Sequence, residues 1–392
     1  MTWKYLTLGA CLWSVAACGD SGTVSTAGAG NTAVGYAVVC SDYVSSQVAL
    51  LQPDGLSVAA GALIHSGSRE SGLVLALSGD VVLPSAHASG ERTLLVDRTH
   101  GVLTWVDRRT ATVVRQLSVA EGFAGNPHDA LERPDGTVLV TRYASEPGEG
   151  ARGDDVVVFD EAGALLERIT FDVGAGVAAR PDRIVPFGAS ALVSLNHGAA
   201  DYSQWESGRY VRLGRSGGVW SVEGDWALEG LRNCGGLAVD QGSAAVVCTG
   251  TFEGDVPVGE DSGVIVTDAT GDEVARLLAA DARVGVGGAL GPAVAYKEGA
   301  VWLVRFGAPG VDGDTVLRWD PATDVVEKVL ELERAFVIDA VAPMPNRGLL
   351  VPVGSPQDPR LCRLDETGWS CSSVCTESGL PPRSLLSLEE PG

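Results

Sequence analysis

Lysine is nearly missing from this chain: Lys4, Lys297 and Lys328 are the only three in 392 residues. Basic residues of both kinds number 28 against 50 acids, a formal charge of −22. A protein so short of positive charge has no electrostatic grip on a nucleic-acid backbone or an anionic lipid surface, so neither is expected as a partner. Histidine is scarce too. The five, at 65, 87, 100, 128 and 197, show no HxH or HxxxH metal spacing, and the chain holds no P-loop. Gly174-Ala175-Gly176 is a fragment of a dinucleotide fingerprint that opens no helix. Long apolar runs are absent after the N-terminus, where the best, Leu73–Leu83, is broken by Gly79 and Asp80. No membrane-spanning helix is therefore expected. What remains is 45% hydrophobic, with 51 glycines and a mean hydropathy of +0.15, which excludes a disordered chain.

The N-terminus reads as a processing signal. Lys4 supplies a positive start, and 5–17 is apolar but too short to span a bilayer. It ends Val15-Ala16-Ala17-Cys18, which resembles the lipobox of bacterial lipoproteins. That resemblance implies cleavage after 17 and lipidation of Cys18, so the chain is anchored to a membrane without crossing it. Residues 18–35 are small, polar and aperiodic, as a flexible tether is. Gly19 after the lipid cysteine, with Asp20 one place later, favours the outer membrane over the inner.

Cysteines 40, 234, 248, 362, 371 and 375 form an even set in an exported chain, which points to disulfides. Cys234 and Cys248 lie nearly symmetrically about one turn, and Cys362 and Cys371 about another. Each pair can bridge a hairpin, leaving Cys40 and Cys375 to staple the two ends of the chain together.

Repeats organise 36–392. Arg133-Pro134-Asp135-Gly136, Asp240-Gln241-Gly242-Ser243 and Lys297-Glu298-Gly299 are each followed at once by a β-rich run. A second turn family, such as Asp160-Glu161-Ala162-Gly163 and Asp365-Glu366-Thr367-Gly368, separates a third strand from a fourth. First strands are expected near 80, 127, 182, 235, 292, 338 and 384, a period of about 51 residues. Four strands per unit with tight turns is the pattern of a propeller blade. The expected fold is all-β: a seven-bladed β-propeller, with six or eight as neighbouring counts. Its C-terminal strand completes the N-terminal blade and hides two sheet edges. The phrases Trp105-Val106-Asp107…Thr110…Val113, Val266-Thr267-Asp268…Thr270-Gly271…Val274 and Arg318-Trp319-Asp320…Thr323…Val326 resemble the YncE/YVTN-type repeat. That resemblance implies a propeller and export, not a reaction.

Second-to-third-strand loops and blade connectors share one face of a propeller, and here they are the long ones. Loops 144–154, 197–208, 251–262 and 307–314 carry Glu146, Glu149, Asp154, Asp201, Glu206, Glu253, Asp255, Glu260, Asp261, Asp312 and Asp314 against Arg152 alone. Oxygen donors among glycines can take Ca²⁺ or another divalent cation, but the spacing matches no calcium loop and no cofactor is expected. Tyr202, Trp205 and Phe252 sit among these acids as candidate anchors for a protein or small-molecule ligand. First strands open on the same face with Asn126-Pro127-His128-Asp129, Arg180-Pro181-Asp182-Arg183, Asn233 and Asp339.

Two functions follow. The first is a monomeric, lipid-anchored envelope module, in the periplasm or at the cell surface, that binds through its acidic loop face. The alternative is a metal-dependent hydrolase at the channel mouth, lactonase-like, using His128, Asp129 and Asp182. The recurrence of Asp129, Asp182 and Asp339 at equivalent repeat positions favours a structural role, accepting connector amides.

Overall fold

The computed structural model describes residues 33–86, 90–147, 152–199, 201, 203–253, 256–257, 259–285, 288–345 and 348–389. The leader at 1–17, Cys18 and nearly all of the tether lie outside the described residues, as do Glu149, Tyr202 and Asp255.

Seven four-stranded antiparallel sheets succeed one another along the chain, and no helix occurs among the described residues. Blade 1 comprises Ala33–Ser41, Ser46–Leu51 and Val58–His65, with Pro382–Glu389 as its innermost strand. The innermost strands of blades 2 to 7 are Val81–Val82, Pro127–Glu132, Pro181–Phe187, Gly236–Asp240, Leu290–Lys297 and Ala342–Pro343. Neighbouring blades touch in succession through these inner strands and those beside them, from blade 1 around to blade 7 and back. The ring therefore closes as the repeat predicts. The first strand expected at 338 begins at 342 instead. The amides of Phe336, Val337 and Ile338 all donate to the Asp314 carboxylate, so they cannot join a ladder.

The core lies between the blades. Second and third strands are apolar on both faces, as in Ala300–Arg305, where every residue is buried. Seven apolar clusters result, one for each blade-to-blade seam. At the seam of blades 5 and 6, for example, Ala245, Val247 and Val264 pack on Val301, Leu303 and Trp319. Fourth strands form the outer edge and are largely exposed or half-buried, as in Val325–Glu331.

Arginine replaces the missing lysine with a specific task. Its planar fork can stack on an aromatic ring while donating to a carbonyl, which an ammonium does poorly. Arg115 lies over Trp105 and donates from blade 2 to Glu161 O of blade 3. Arg212 sits over the Phe187 and Trp226 rings and reaches Ala269 O of blade 5. Arg363 of blade 7 reaches Asp54 O of blade 1. These contacts belt the ring on its tight-turn face.

All three expected disulfides form: Cys40–Cys375, Cys234–Cys248 and Cys362–Cys371. They indicate an oxidising, non-cytoplasmic compartment.

Aspartates build the tight turns. Asp107, Asp268 and Asp365 each accept the amide and hydroxyl of a threonine two or three residues on. Blade 4 lacks the aspartate and uses Gly217-Gly218, both at positive φ, for a two-residue hairpin turn. Bonds from Thr110, Thr270 and Thr367 hold Asp107, Asp268 and Asp365 below the usual carboxylate range. Thr137 with Arg215 holds Asp135 down to about 2, and Arg283 does the same for Asp281, also about 2. A carboxylate with a depressed native pKa stabilises the fold above its unfolded value and loses that stabilisation as pH falls through its native value. The melting temperature is therefore expected to hold from neutrality down to about pH 4 and to fall steeply toward about pH 2. A circular-dichroism melt series that stays flat below pH 3 would contradict this account.

Candidate functional site

A repeated backbone device shapes the loop face. A residue shortly before a first strand takes positive φ, directly before it at Asn126 and Arg180 and three residues before it at Asn233. This folds the connector back so that its carbonyl accepts an amide from the end of the second strand. Tyr143 N donates to Asn126 O, Asn196 N to Arg180 O and Thr249 N to Asn233 O, at 3.0–3.1 Å. The side chains at those strand ends, Tyr143 and Asn196, are thereby set beside the first-strand openings in blades 3 and 4.

There they meet His128 and Asp182. The His128 ring stacks on Tyr143 with centroids 4.1 Å apart and planes 8° from parallel. Its Nδ1 lies 3.1 Å from Asp182 Oδ1, and its Nε2 lies 3.3 Å from Asn126 Nδ2. Asn196 Nδ2 donates to Asp182 Oδ2 at 2.9 Å and to the Tyr143 hydroxyl at 3.2 Å. Burial on its own would raise the Asp182 pKa. His128, Arg183 and Asn196 together outweigh it and hold the group below the ordinary value, so the carboxylate stays charged. Asn196 is 4% exposed, and its Oδ1 is buried with no hydrogen-bond partner among the described residues. Beside this cluster, buried Arg180 lies over the rings of Tyr143 and Trp205 and donates to Ala199 O at 2.8 Å. Trp205 folds over Gly198, where a methyl group would come within 2.5 Å of the indole, so it is half-buried rather than projecting.

The other openings are structural. Asp129 is fully buried, and its carboxylate accepts the amides of Ser85, Ala130 and Ile184. It thus links the inner strands of blades 2, 3 and 4. Burial raises its pKa against the pull of Arg183 and those bonds. It does not join the His128–Asp182 pair. Asp339 receives Arg383 at 2.7 Å, a clasp between blades 7 and 1. Asn233 donates to Gly250 O. Among the described residues no three histidine, cysteine or acidic side chains converge as a metal-ligand set.

Of the nine described loop acids, Asp314 is buried, four are half-buried and engaged by neighbouring groups, and four are exposed. Asp314 is wholly buried and accepts four amides, from Gly307, Phe336, Val337 and Ile338, so it is not part of an exposed face. Asp154 accepts Ala179 N and Arg180 N. Asp261 holds Thr251 N and lies 3.6 Å from Arg232, while Asp312 holds Ala308 N and Arg305. Glu146 pairs with Arg152, and Asp201 turns onto Ser203 N. Glu206, Glu253 and Glu260 are exposed, and Phe252 is 37% exposed on a small hairpin, Phe252–Glu253 with Val256–Pro257. The long-loop expectation holds in blades 3 to 6, but the acidity largely serves the loops themselves. Sequence reasoning missed Tyr143 and Asn196. Their shared repeat position at the second-strand end was the available signal.

No protein-family model matches the chain, and no curated protein matches it in sequence. Its fold is similar to that of a 6-phosphogluconolactonase-like protein from Bacteroides uniformis, at 14% identity over 91% of this chain and 99% of that one, with a TM-score of 0.58. It is also similar to a streptogramin B lyase, at 11% identity over 81% and 89% of the two chains (TM-score 0.55). A virginiamycin B lyase from Staphylococcus aureus with quinupristin gives 9% identity over 78% and 88% (TM-score 0.55). At such identities the likeness is one of fold.

The division of labour among the aspartates is testable. Asp129→Ala leaves three inner-strand amides without their acceptor and is expected to cost about 2–4 kcal/mol in urea unfolding. Asp182→Asn keeps its hydrogen-bonding shape and is expected to cost under about 1 kcal/mol. Equal losses in the two variants would overturn the assignment.

Proposed function

We propose that the protein is a lipid-anchored binding module of the bacterial envelope that takes its ligand on the loop face, at the mouth over blades 3 to 5. The lipobox-like Val15–Cys18 supports the anchor, and the disulfides support export. The observation that carries the site is the cluster around Asn196, whose side-chain amide donates to both Asp182 and the Tyr143 hydroxyl. Next to it the charged Asp182, the stacked His128 and Tyr143, and Arg183 give converging polar groups on rigid strands. Rigid polar groups at a loop-rich mouth favour ligand capture. Glu206, Glu253, Glu260 and Phe252 remain as the rim for a larger partner.

A second reading, a metal-dependent lactonase-like hydrolase, draws on one observation: His128 and Asp182 form an oriented pair. Metal analysis of the purified protein separates the two. A stoichiometric divalent ion that disappears in Asp182→Asn would favour the hydrolase.

For the binding module, a thermal-shift screen of small polar metabolites is expected to find compounds that raise the melting temperature by about 2–5 °C near saturation. Asn196→Ala and Asp182→Asn should each abolish the shift. Shifts that survive both substitutions would place the ligand elsewhere and overturn the reading.

A further inference from the structure

The three disulfides differ in what surrounds their sulfurs. Cys234 and Cys248 are fully buried in the apolar seam of blades 4 and 5. Cys40 and Cys375 are equally enclosed in the seam of blades 7 and 1. Cys362 and Cys371 stand directly opposite each other in the ladder between Asp358–Asp365 and Gly368–Ser372 of blade 7. Cys362 is 2% exposed, but Cys371 is exposed, alone among the six.

Their place in the sheet explains the asymmetry. On its inner side Cys362 pairs with Val351 of Leu349–Ser355. Gly368–Ser372 is the outermost strand, and among the described residues no strand of this sheet lies beyond Cys371. A thiolate opens a disulfide by attacking one sulfur from the side opposite its partner, and the other sulfur leaves. For Cys371 that approach comes from the sheet edge and solvent. For Cys362 it comes from the side of Val351, within the packed seam of blades 6 and 7.

The fold also depends least on this bond. It joins residues only 9 apart in sequence, against 335 for the bond at the ring closure, so it restrains the unfolded chain least. The two strands keep their ladder and their turn at Glu366-Thr367 when it opens.

We propose that Cys362–Cys371 is a thiol-exchange site, at which a small thiol modifies the folded protein. The sulfur of the incoming thiolate bonds to Cys371 Sγ as the bond to Cys362 breaks. Cys362 leaves as a thiolate and takes up a proton from water. The product carries a mixed disulfide on Cys371 and a free thiol at Cys362, with no net oxidation. Attack by Cys362 on the mixed disulfide reverses the step and releases the small thiol.

The test treats the native protein with increasing 2-mercaptoethanol, traps free thiols with excess N-ethylmaleimide and maps each cysteine by peptide mass spectrometry. The adduct is expected on Cys371 and the maleimide on Cys362, at thiol concentrations at least about tenfold below those that open either other pair. The circular-dichroism spectrum should not change in that range. A variant combining Cys362→Ala with Cys371→Ala is expected to fold and to take up no label there. Adduct on Cys362 rather than Cys371, an earlier opening of either other pair, or all three opening together as the protein unfolds would overturn the proposal. The map of the unaltered protein decides it even if the double variant fails to fold.

Discussion

A ring of sheets holds together only if its two ends are joined, and every blade of this protein depends on that one closure. The join is made by Pro382–Glu389 pairing with Ala33–Ser41, which satisfies two rows of backbone groups that would otherwise be open edges. Around it the chain adds ties of different chemistry. Cys40–Cys375 is covalent, Arg383–Asp339 is ionic, and Arg363 reaches the Asp54 carbonyl across the same gap. Separate ties matter because the seam joins segments more than 300 residues apart in sequence. Nothing local holds those segments near each other before folding.

The excess of acid has an architectural explanation. Aspartates at the tight turns accept amides within the turn, while Asp129, Asp154 and Asp314 accept amides from connectors and neighbouring blades. A carboxylate has several lone pairs and can gather two to four donors at once, which a serine or threonine hydroxyl cannot. Arginine complements it by crossing seams on the opposite face, stacking on tryptophan and donating to carbonyls. Both residue types are used as multi-point connectors between sheets that share no backbone ladder. The charge of −22 is therefore partly a by-product of how the ring is tied together.

The candidate site is a departure from this scheme at one place in the repeat. Asp129 is enclosed by amides, whereas Asp182, which stands in blade 4 where His128 stands in blade 3, is offered to side chains instead. His128 and Asp182 were legible as candidates because both lie at strand openings in a recurring phrase. Asn196 and Tyr143 were overlooked, since their only signal is a shared position at the second-strand end, which carries no chemistry by residue type alone. The acidic loops misled in the opposite direction. Asp314 looks like any loop aspartate until four amides are found on it.

Periodicity pointed to the fold class, a count near seven blades and the closing role of the last strand, and cysteine placement about two turns pointed to the hairpin disulfides. The blade pattern repeats every fifty residues or so and is written in turns and strands whose contacts are local. The tertiary structure alone decided which acids turn inward, and that Asp129 braces the ring while Asp182 faces a histidine. It also decided that the Asn196 amide joins Asp182 to the Tyr143 hydroxyl. Each of these depends on side chains from adjacent blades meeting across a seam. That meeting is set by the twist and packing of whole sheets, which no stretch of sequence displays.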